Sequence, residues 1–418
     1  MDNHKDSPLD LELQRFTLDN GLSVLVTELP TTRSVTLLVY IRVGSRYEEA
    51  PLSGMAHFVE HMMFKGTRNR PRPRDISDAI EGRGGAFNAG TGYETTSYYI
   101  KVAHQHFPVA VDILSDMLLH SLFEPAEIEK ERHVIIEEIN ETFDHPTDLV
   151  FYELDRLMWH DHPLGRDIAG SAETVGALTR TQMLEFLARH YGLQNVVISV
   201  AGCIQAQDVV AQIRNAFAPL GNIAHANFQP FTNGQHAPRA LVRYKKTEQA
   251  QIAVSLWGLP RHHPDRYVLR LMNTVLGDGM SSRLFQEIRE RRGLAYDVSS
   301  FASTAHDCGV VGASASVEPK QAVTTLQAIL GECNKLRAEP VTEDELTRAK
   351  EYLKGHILLG MEDTFSIASW YGRQEVYATE MLNVDQVIER LEAVTASEIQ
   401  RLAQQLFRTG ALNLSVVG

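Results

Sequence analysis

Cysteine is scarce: Cys203, Cys308 and Cys333 are the only three in 418 residues, far apart and without zinc-finger or redox spacing. A disulfide framework and a thiolate metal cluster are therefore excluded, and the three read as core or surface bystanders of a reducing compartment. Long apolar runs are also missing. No stretch reaches the roughly 18 residues that a membrane-spanning helix needs, and the opening MDNHKDSPLDLELQRF is too polar and acidic for a secretion or transit segment. The expected setting is cytoplasmic, with no membrane partner. Positive charge is in deficit, 40 Lys and Arg against 53 Asp and Glu, for a formal net charge of -13. That balance argues against nucleic acid as a partner.

Apolar residue is plentiful, at 44%. With this length it predicts several compact units rather than disorder. The chain reads as strands near 18–30 and 34–43, helices over 54–65 and 75–81, a strand over 95–103, helices over 108–119 and 125–143, a strand within 191–202 and a helix over 205–217. The segment GNIAHANFQPFTNGQHAP, 221–238, is polar, aperiodic and punctuated by Gly and Pro, as a linker is. From residue 239 onward the chain repeats its first half. DISDAIEGRGGAFNAGTG aligns with SRLFQEIRERRGLAYDVSS, PVAVDILSDMLL with PKQAVTTLQAIL, and FEPAEIEKERHVIIEEI with AEPVTEDELTRAKEYLKGHI. Three pairings in the same order predict an α+β fold built from a duplicated pair of domains, 12–220 and 239–418, each a mainly antiparallel sheet packed with helices.

The chemistry gathers in the first copy, at GMAHFVEHMMFKGT. On a helix, positions i, i+3 and i+4 share a face, so His57, Glu60 and His61 point one way. Two imidazoles at that spacing are a common pair of zinc ligands, and an acid between them can handle the proton of a water. A chance motif on a solvated face is the bland alternative. A catalytic zinc needs a third protein ligand, and EPAEIEKERHVIIEEIN, 124–140, offers acids. Glu131, Val134 and Glu138 fall on one stripe of that helix, and Val134, Ile135 and Ile139 read as its half-buried apolar side. Glu137 lies about 100° from Glu138. Spacing leaves the choice between these two open.

AHFVEHMMFKGT, ERHVIIEEI and RLFQEIRERRGLAY together resemble the M16 (pitrilysin-like) zinc metallopeptidases, whose inverted motif is His-x-x-Glu-His. The resemblance runs from about Phe16 to the end and is nearest to short members such as the catalytic subunit of mitochondrial processing peptidase. It implies one zinc per chain on His57, His61 and Glu138, with Glu60 as general base and Glu131 supporting the site. It further implies that Arg289 and Tyr296 reach the bound peptide, and that 84–99 holds an edge strand whose Asn88 and Ala89 meet an extended substrate. Without it, Arg289 reads as a surface ion pair, Tyr296 as a core-edge aromatic, and 84–99 as an ordinary hairpin. A zinc-dependent endopeptidase working as a homodimer is the implied function. The alternatives are a heterodimer with a related chain, a non-catalytic partner subunit of such a complex, or another zinc hydrolase acting on small substrates. His104, His106, His133, His145, His160 and His162 lack partner spacing and read as solvated or locally bonded, and LGDGMSS, 276–282, lacks the ending of a phosphate loop.

Overall fold

The computed structural model describes residues 12–377 and 380–418. The polar opening stretch, tested for a leader by its composition, lies as far as residue 11 outside the described residues. In chain order the elements are β1 (Leu13–Thr17), β2 (Ser23–Glu28), β3 (Ser34–Ile41), α1 (Met55–Met62), α2 (Pro73–Glu81), β4 (Ala86–Thr91), β5 (Thr96–Ala103), α3 (Phe107–His120), α4 (Pro125–Asp144), α5 (Pro146–Trp159), α6 (Ala172–Ala177), α7 (Arg180–His190), β6 (Val196–Gly202) and α8 (Ala206–Ala216). The second half continues with β7 (Arg239–Arg243), β8 (Ala250–Trp257), α9 (Arg266–Gly277), a π-helix (Phe285–Arg291), β9 (Ala295–Thr304), β10 (Gly309–Val317), α10 (Ala322–Ala338), α11 (Glu343–Gly360), α12 (Thr364–Tyr377), α13 (Val384–Glu392), α14 (Ala396–Leu406) and β11 (Asn413–Val417).

The first unit holds a six-stranded sheet in the order β1-β2-β6-β3-β5-β4, the second a five-stranded sheet in the order β7-β11-β8-β10-β9. Apart from β1 the two sheets are the same object. β2 runs parallel to β6 as β7 does to β11, and every other neighbouring pair in both sheets is antiparallel. The repeat seen in sequence is therefore a repeat in topology: two homologous α+β domains, each a mixed, mostly antiparallel sheet packed by helices. Central strands are covered on both faces and read as continuous apolar runs. β3, SVTLLVYI, is buried from Val35 to Ile41 because it touches α3 and α12.

The compact units are not contiguous in sequence, and here the structure departs from the simple division at the linker. The first comprises the chain up to Ile136, Ile168–Phe228 and Gly360–Asn383, and the second comprises Glu137–Asp167, Gln229–Leu359 and Val384–Gly418. The changeover point inside α4 leaves that helix unbroken. The exchange has a specific content: α12, from the second half of the sequence, packs on β2, β3 and β6, while α5, from the first half, packs on β7, β8 and β11. These helices occupy equivalent places on equivalent sheets. Gly372 of α12 makes the close approach possible, since a Cβ there would stand 2.7 Å from the Tyr40 ring. Beside it, the Ser199 hydroxyl donates to the Ala368 carbonyl at 2.7 Å. The segment 221–238 has little regular structure yet is held in each unit separately. Phe228 lies under the Arg46 guanidinium at 4.0 Å in the first, and Phe231 meets Trp159 and Trp257 at 4.8 and 4.9 Å in the second.

His190, at the end of α7, is buried against the Phe186 ring. Burial, with the nearby Arg189 charge, pushes its imidazolium down to about 4. The folded state therefore binds this proton less readily than the unfolded chain, so stability present above pH 6.5 is lost as pH falls towards 4. Thermal melting should show the wild type losing about 1–2 kcal/mol more between pH 7 and pH 4.5 than His190→Leu does. Parallel losses would assign the acid sensitivity elsewhere.

Candidate metal centre

The centre is built on α1, a helix of eight residues of which only His61 is not fully buried. A short helix bearing two histidines and a glutamate in a dry setting must be held by its ends, since intrinsic propensity cannot stabilise one of this length. Its start is held by Glu48. That buried carboxylate accepts from the Gly54 amide at 2.9 Å and the Ala56 amide at 2.7 Å, satisfying two of the donors that a helix N-terminus leaves unpaired. Gly54 adopts φ +94°, and a Cβ there would lie 2.5 Å from the Ala169 carbonyl oxygen, so the turn into the helix needs glycine. Beyond the far end, Thr67 donates to buried Asp116, which also takes Asn69 at 3.0 Å and Arg70 at 3.0 Å. This network accounts for the Thr of the Lys-Gly-Thr after the motif, and Gly66 before it adopts φ +118°.

From that platform His57 and His61 face each other with Nε2 atoms 3.1 Å apart. Glu138 of α4 joins them: one ligand atom from each of the three lies within 4.8 Å of the others. Glu137 is not among the group. The geometry suits zinc, for which two ring nitrogens at about 2.0–2.1 Å in tetrahedral array stand roughly 3.3 Å apart. The protonation chemistry fits as well. Burial, and then the His61 charge, pushes His57 down to about 4 against the opposing pull of Glu131, so its ring is neutral and able to ligate at pH 7.

Glu131 sits one layer out. Its Oε1 lies 2.9 Å from His61 Nδ1, and its Oε2 lies 2.6 Å from the Lys65 ammonium. Burial would raise this carboxyl, but the hydrogen bonds from His61 and Lys65 outweigh it and hold the group below its ordinary value. A carboxylate on Nδ1 fixes the imidazole orientation and leaves Nε2 for a ligand bond. Glu60 lies between the histidines in sequence, and its Oε2 accepts from the Thr91 hydroxyl at 2.8 Å. Val134 corrects an expectation: it is 51% exposed, so the stripe runs from a buried Glu131 to an exposed Val134 and Glu138, while Ile135 and Ile139 carry the apolar burial of α4.

β4 is the outer strand of its sheet, paired on one side by β5. Alternation along it is clear. Phe87 meets Phe64 at 5.5 Å and Thr91 meets Glu60, so Phe87, Ala89 and Thr91 share the α1 side while Asn88 lies on the other face, exposed. The Ala89 amide donates to the Asn88 side chain at 2.9 Å. In the second unit, Arg289 belongs to the π-helix, a form that often marks functional positions. Its guanidinium lies 4.8 Å from the Phe285 ring and 4.2 Å from the Tyr296 ring, and donates to the Tyr296 carbonyl at 3.0 Å. Tyr296 is 74% exposed, which removes the core-edge reading of that ring. Of the histidines read as bystanders, His162 is buried but locally bonded, 3.0 Å from the Gln229 carbonyl oxygen and accepting from the Leu164 amide.

Sequence reasoning passed over GSRYE, 44–48, whose Arg46 and Glu48 lie in a charged, polar approach to the motif and carry no spacing signal of their own. Arg46 is fully buried, with its guanidinium on Glu94 at 2.8 Å. Thr91 had no sequence signal beyond lying near Asn88 and Ala89.

A buried His-x-x-Glu-His helix with a carboxylate ligand downstream defines the class of the inverted-motif zinc metallopeptidases. The chain belongs to peptidase family M16. Residues 23–172 match the family model described as Insulinase (Peptidase family M16), and residues 177–353 match the Peptidase M16 inactive domain. An uncharacterized zinc protease of Streptomyces coelicolor is 38% identical over 97% of this chain and 89% of its own length, and one of Bacillus subtilis is 35% identical over 94% and 96%. Among solved structures, a protease from Helicobacter pylori superposes with a TM-score of 0.92 at 22% identity, covering 97% of this chain and 99% of that one.

Replacing the clamp at the start of α1 should be costly. Glu48→Gln keeps the size but places an NH2 against one of the two N–H donors and removes the charge, and should lower unfolding stability by about 2–3 kcal/mol in denaturant titration. A loss below about 0.5 kcal/mol would show that α1 does not depend on it.

Proposed function

We propose that this chain is a zinc-dependent endopeptidase that cuts peptides in extended conformation, with one zinc per chain. The observation that carries the reading is the convergence of His57, His61 and Glu138 beside Glu60 on a buried, clamped helix. A zinc ion held there supplies Lewis acidity, polarising the scissile carbonyl and acidifying the attacking water. The chain's own residues do the rest. Glu60 takes the water proton and hands it to the leaving amine; Glu131 keeps His61 oriented; β4 accepts the peptide as an added strand through its free edge, with Asn88 and Ala89 at the meeting point. Arg289 and Tyr296 take the role the family resemblance gives them, donating towards the substrate backbone as charge develops. Folded proteins are poor substrates for such a site, because an edge strand binds only an extended segment.

The further expectations rest on the resemblance to the catalytic subunit of processing peptidases: cytoplasmic action, and a homodimer of two 46.8 kDa chains rather than an obligate pair with a related chain. No helix among the described residues is long and apolar enough to cross a membrane. A non-catalytic partner subunit is the second reading, and retention of the full ligand set with Glu60 favours the first.

Metal analysis and peptide hydrolysis test the proposal together. His61→Ala should lose both stoichiometric zinc and turnover, whereas Glu60→Gln should keep zinc and lose turnover by at least about a hundred-fold. Wild-type hydrolysis by Glu60→Gln would reject the general base. Light scattering across a dilution series should give a dimer mass; full activity from a monomer would remove the dimer requirement.

A further inference from the structure

We propose that Thr91 is a positioning residue for Glu60, setting the carboxylate that the endopeptidase reading uses as general base, and that the segment 44–48 fixes the register between them. The contact is direct: the Thr91 hydroxyl donates to Glu60 Oε2 at 2.8 Å. A carboxylate held through one oxygen keeps its other oxygen oriented, and a side chain with three rotatable bonds gains more from such a tether than a stiff one does. Thr91 is itself stiff, being β-branched, and it is the last residue of β4 on the α1 side of the strand.

The strand end cannot drift from the helix, because one short segment grips both. The Ser45 amide donates to the Gly92 carbonyl at 3.1 Å and the Arg46 amide to the Tyr93 carbonyl at 2.8 Å, while the buried Arg46 guanidinium holds Glu94. Two residues further on, Glu48 holds the amides of Gly54 and Ala56 at the head of α1. Gly44 allows this grip, since a Cβ there would overlap the Gly92 carbonyl oxygen at 2.0 Å. Ser45 to Glu48 therefore clasps the turn after Thr91 on one side and the helix bearing Glu60 on the other. The Thr91 hydroxyl ties the strand edge proposed to receive the peptide to the base proposed to activate the water.

This rests on the endopeptidase reading, and the experiment separates the two. Using a fluorescence-quenched unstructured peptide cut by the wild type, kcat should fall about ten-fold in Thr91→Val and recover to within about two-fold in Thr91→Ser, which restores the hydroxyl. KM, the melting temperature and zinc affinity from chelator competition should stay near wild type in both variants, a split that a merely structural role would not give. Wild-type kcat in Thr91→Val, with Glu60→Gln inactive, overturns the positioning role and leaves the base intact. Loss of zinc or of folded protein in Thr91→Val without recovery by Thr91→Ser overturns it as well. Full turnover in Glu60→Gln, or no hydrolysis of any peptide by the wild type, removes the base and the positioning role with it.

Discussion

The candidate centre depends on one buried negative charge. Without Glu48, α1 would begin with unpaired amides in a dry interior, each costing about 1–3 kcal/mol, and an eight-residue helix has no reserve against that cost. With it, the helix has a fixed start at Gly54 and therefore a fixed rotation. His57 comes directly after the clamped Ala56, and Glu60 and His61 take their directions from the same turn. The far clamp, Thr67 and Arg70 on Asp116, fixes the exit. The directions of His57, Glu60 and His61 are thus set by the ends of α1, and Glu138 reaches them from α4.

Duplication explains why chemistry occupies one copy. In the second unit the helix after the central strand β8 is α9, RYVLRLMNTVLG, the counterpart by topology of α1 after β3. Its buried positions include Val268, Leu269, Leu271, Met272 and Val275, with no imidazole or carboxylate among them. The same sheet therefore supports a helix carrying candidate metal ligands in one unit and an apolar helix in the other. Exchange of α5 and α12 binds the two halves of the sequence more firmly than a linker could, because each sheet's facing helix comes from the other half.

Legibility in the sequence tracked the range of the forces involved. α1, α3 and α4 were readable because amphipathic period and caps are local, and the repeat was readable because three local patterns recur in order. His57, Glu60 and His61 are within one turn, so their common face needed only helix geometry. Glu138 against Glu137 was not readable, since it depends on how α4 meets α1. The exposure of Val134 was misread for the same reason: along one stripe of α4 Glu131 is covered and Val134 is not, which depends on what packs against the helix. The helix exchange left no trace in composition, because α5 and α12 are equivalent helices and either would bury its apolar side on either sheet. Arg46 and Glu48 sit among other charged and polar residues and gave no local signal, because their partners Glu94 and Gly54 are known only from the fold.

Burial is graded across the centre, and the gradient has chemical meaning. His57 is deep enough to stay neutral, His61 is half-buried and tethered by Glu131, and Glu138 is exposed. A neutral ligand belongs on the dry side, where a charged imidazolium would be penalised, and an anionic ligand can stand on the wet side with little desolvation cost before a cation arrives. Lys65 offsets the buried charge of Glu131, so the carboxylate that orients His61 stays an acceptor.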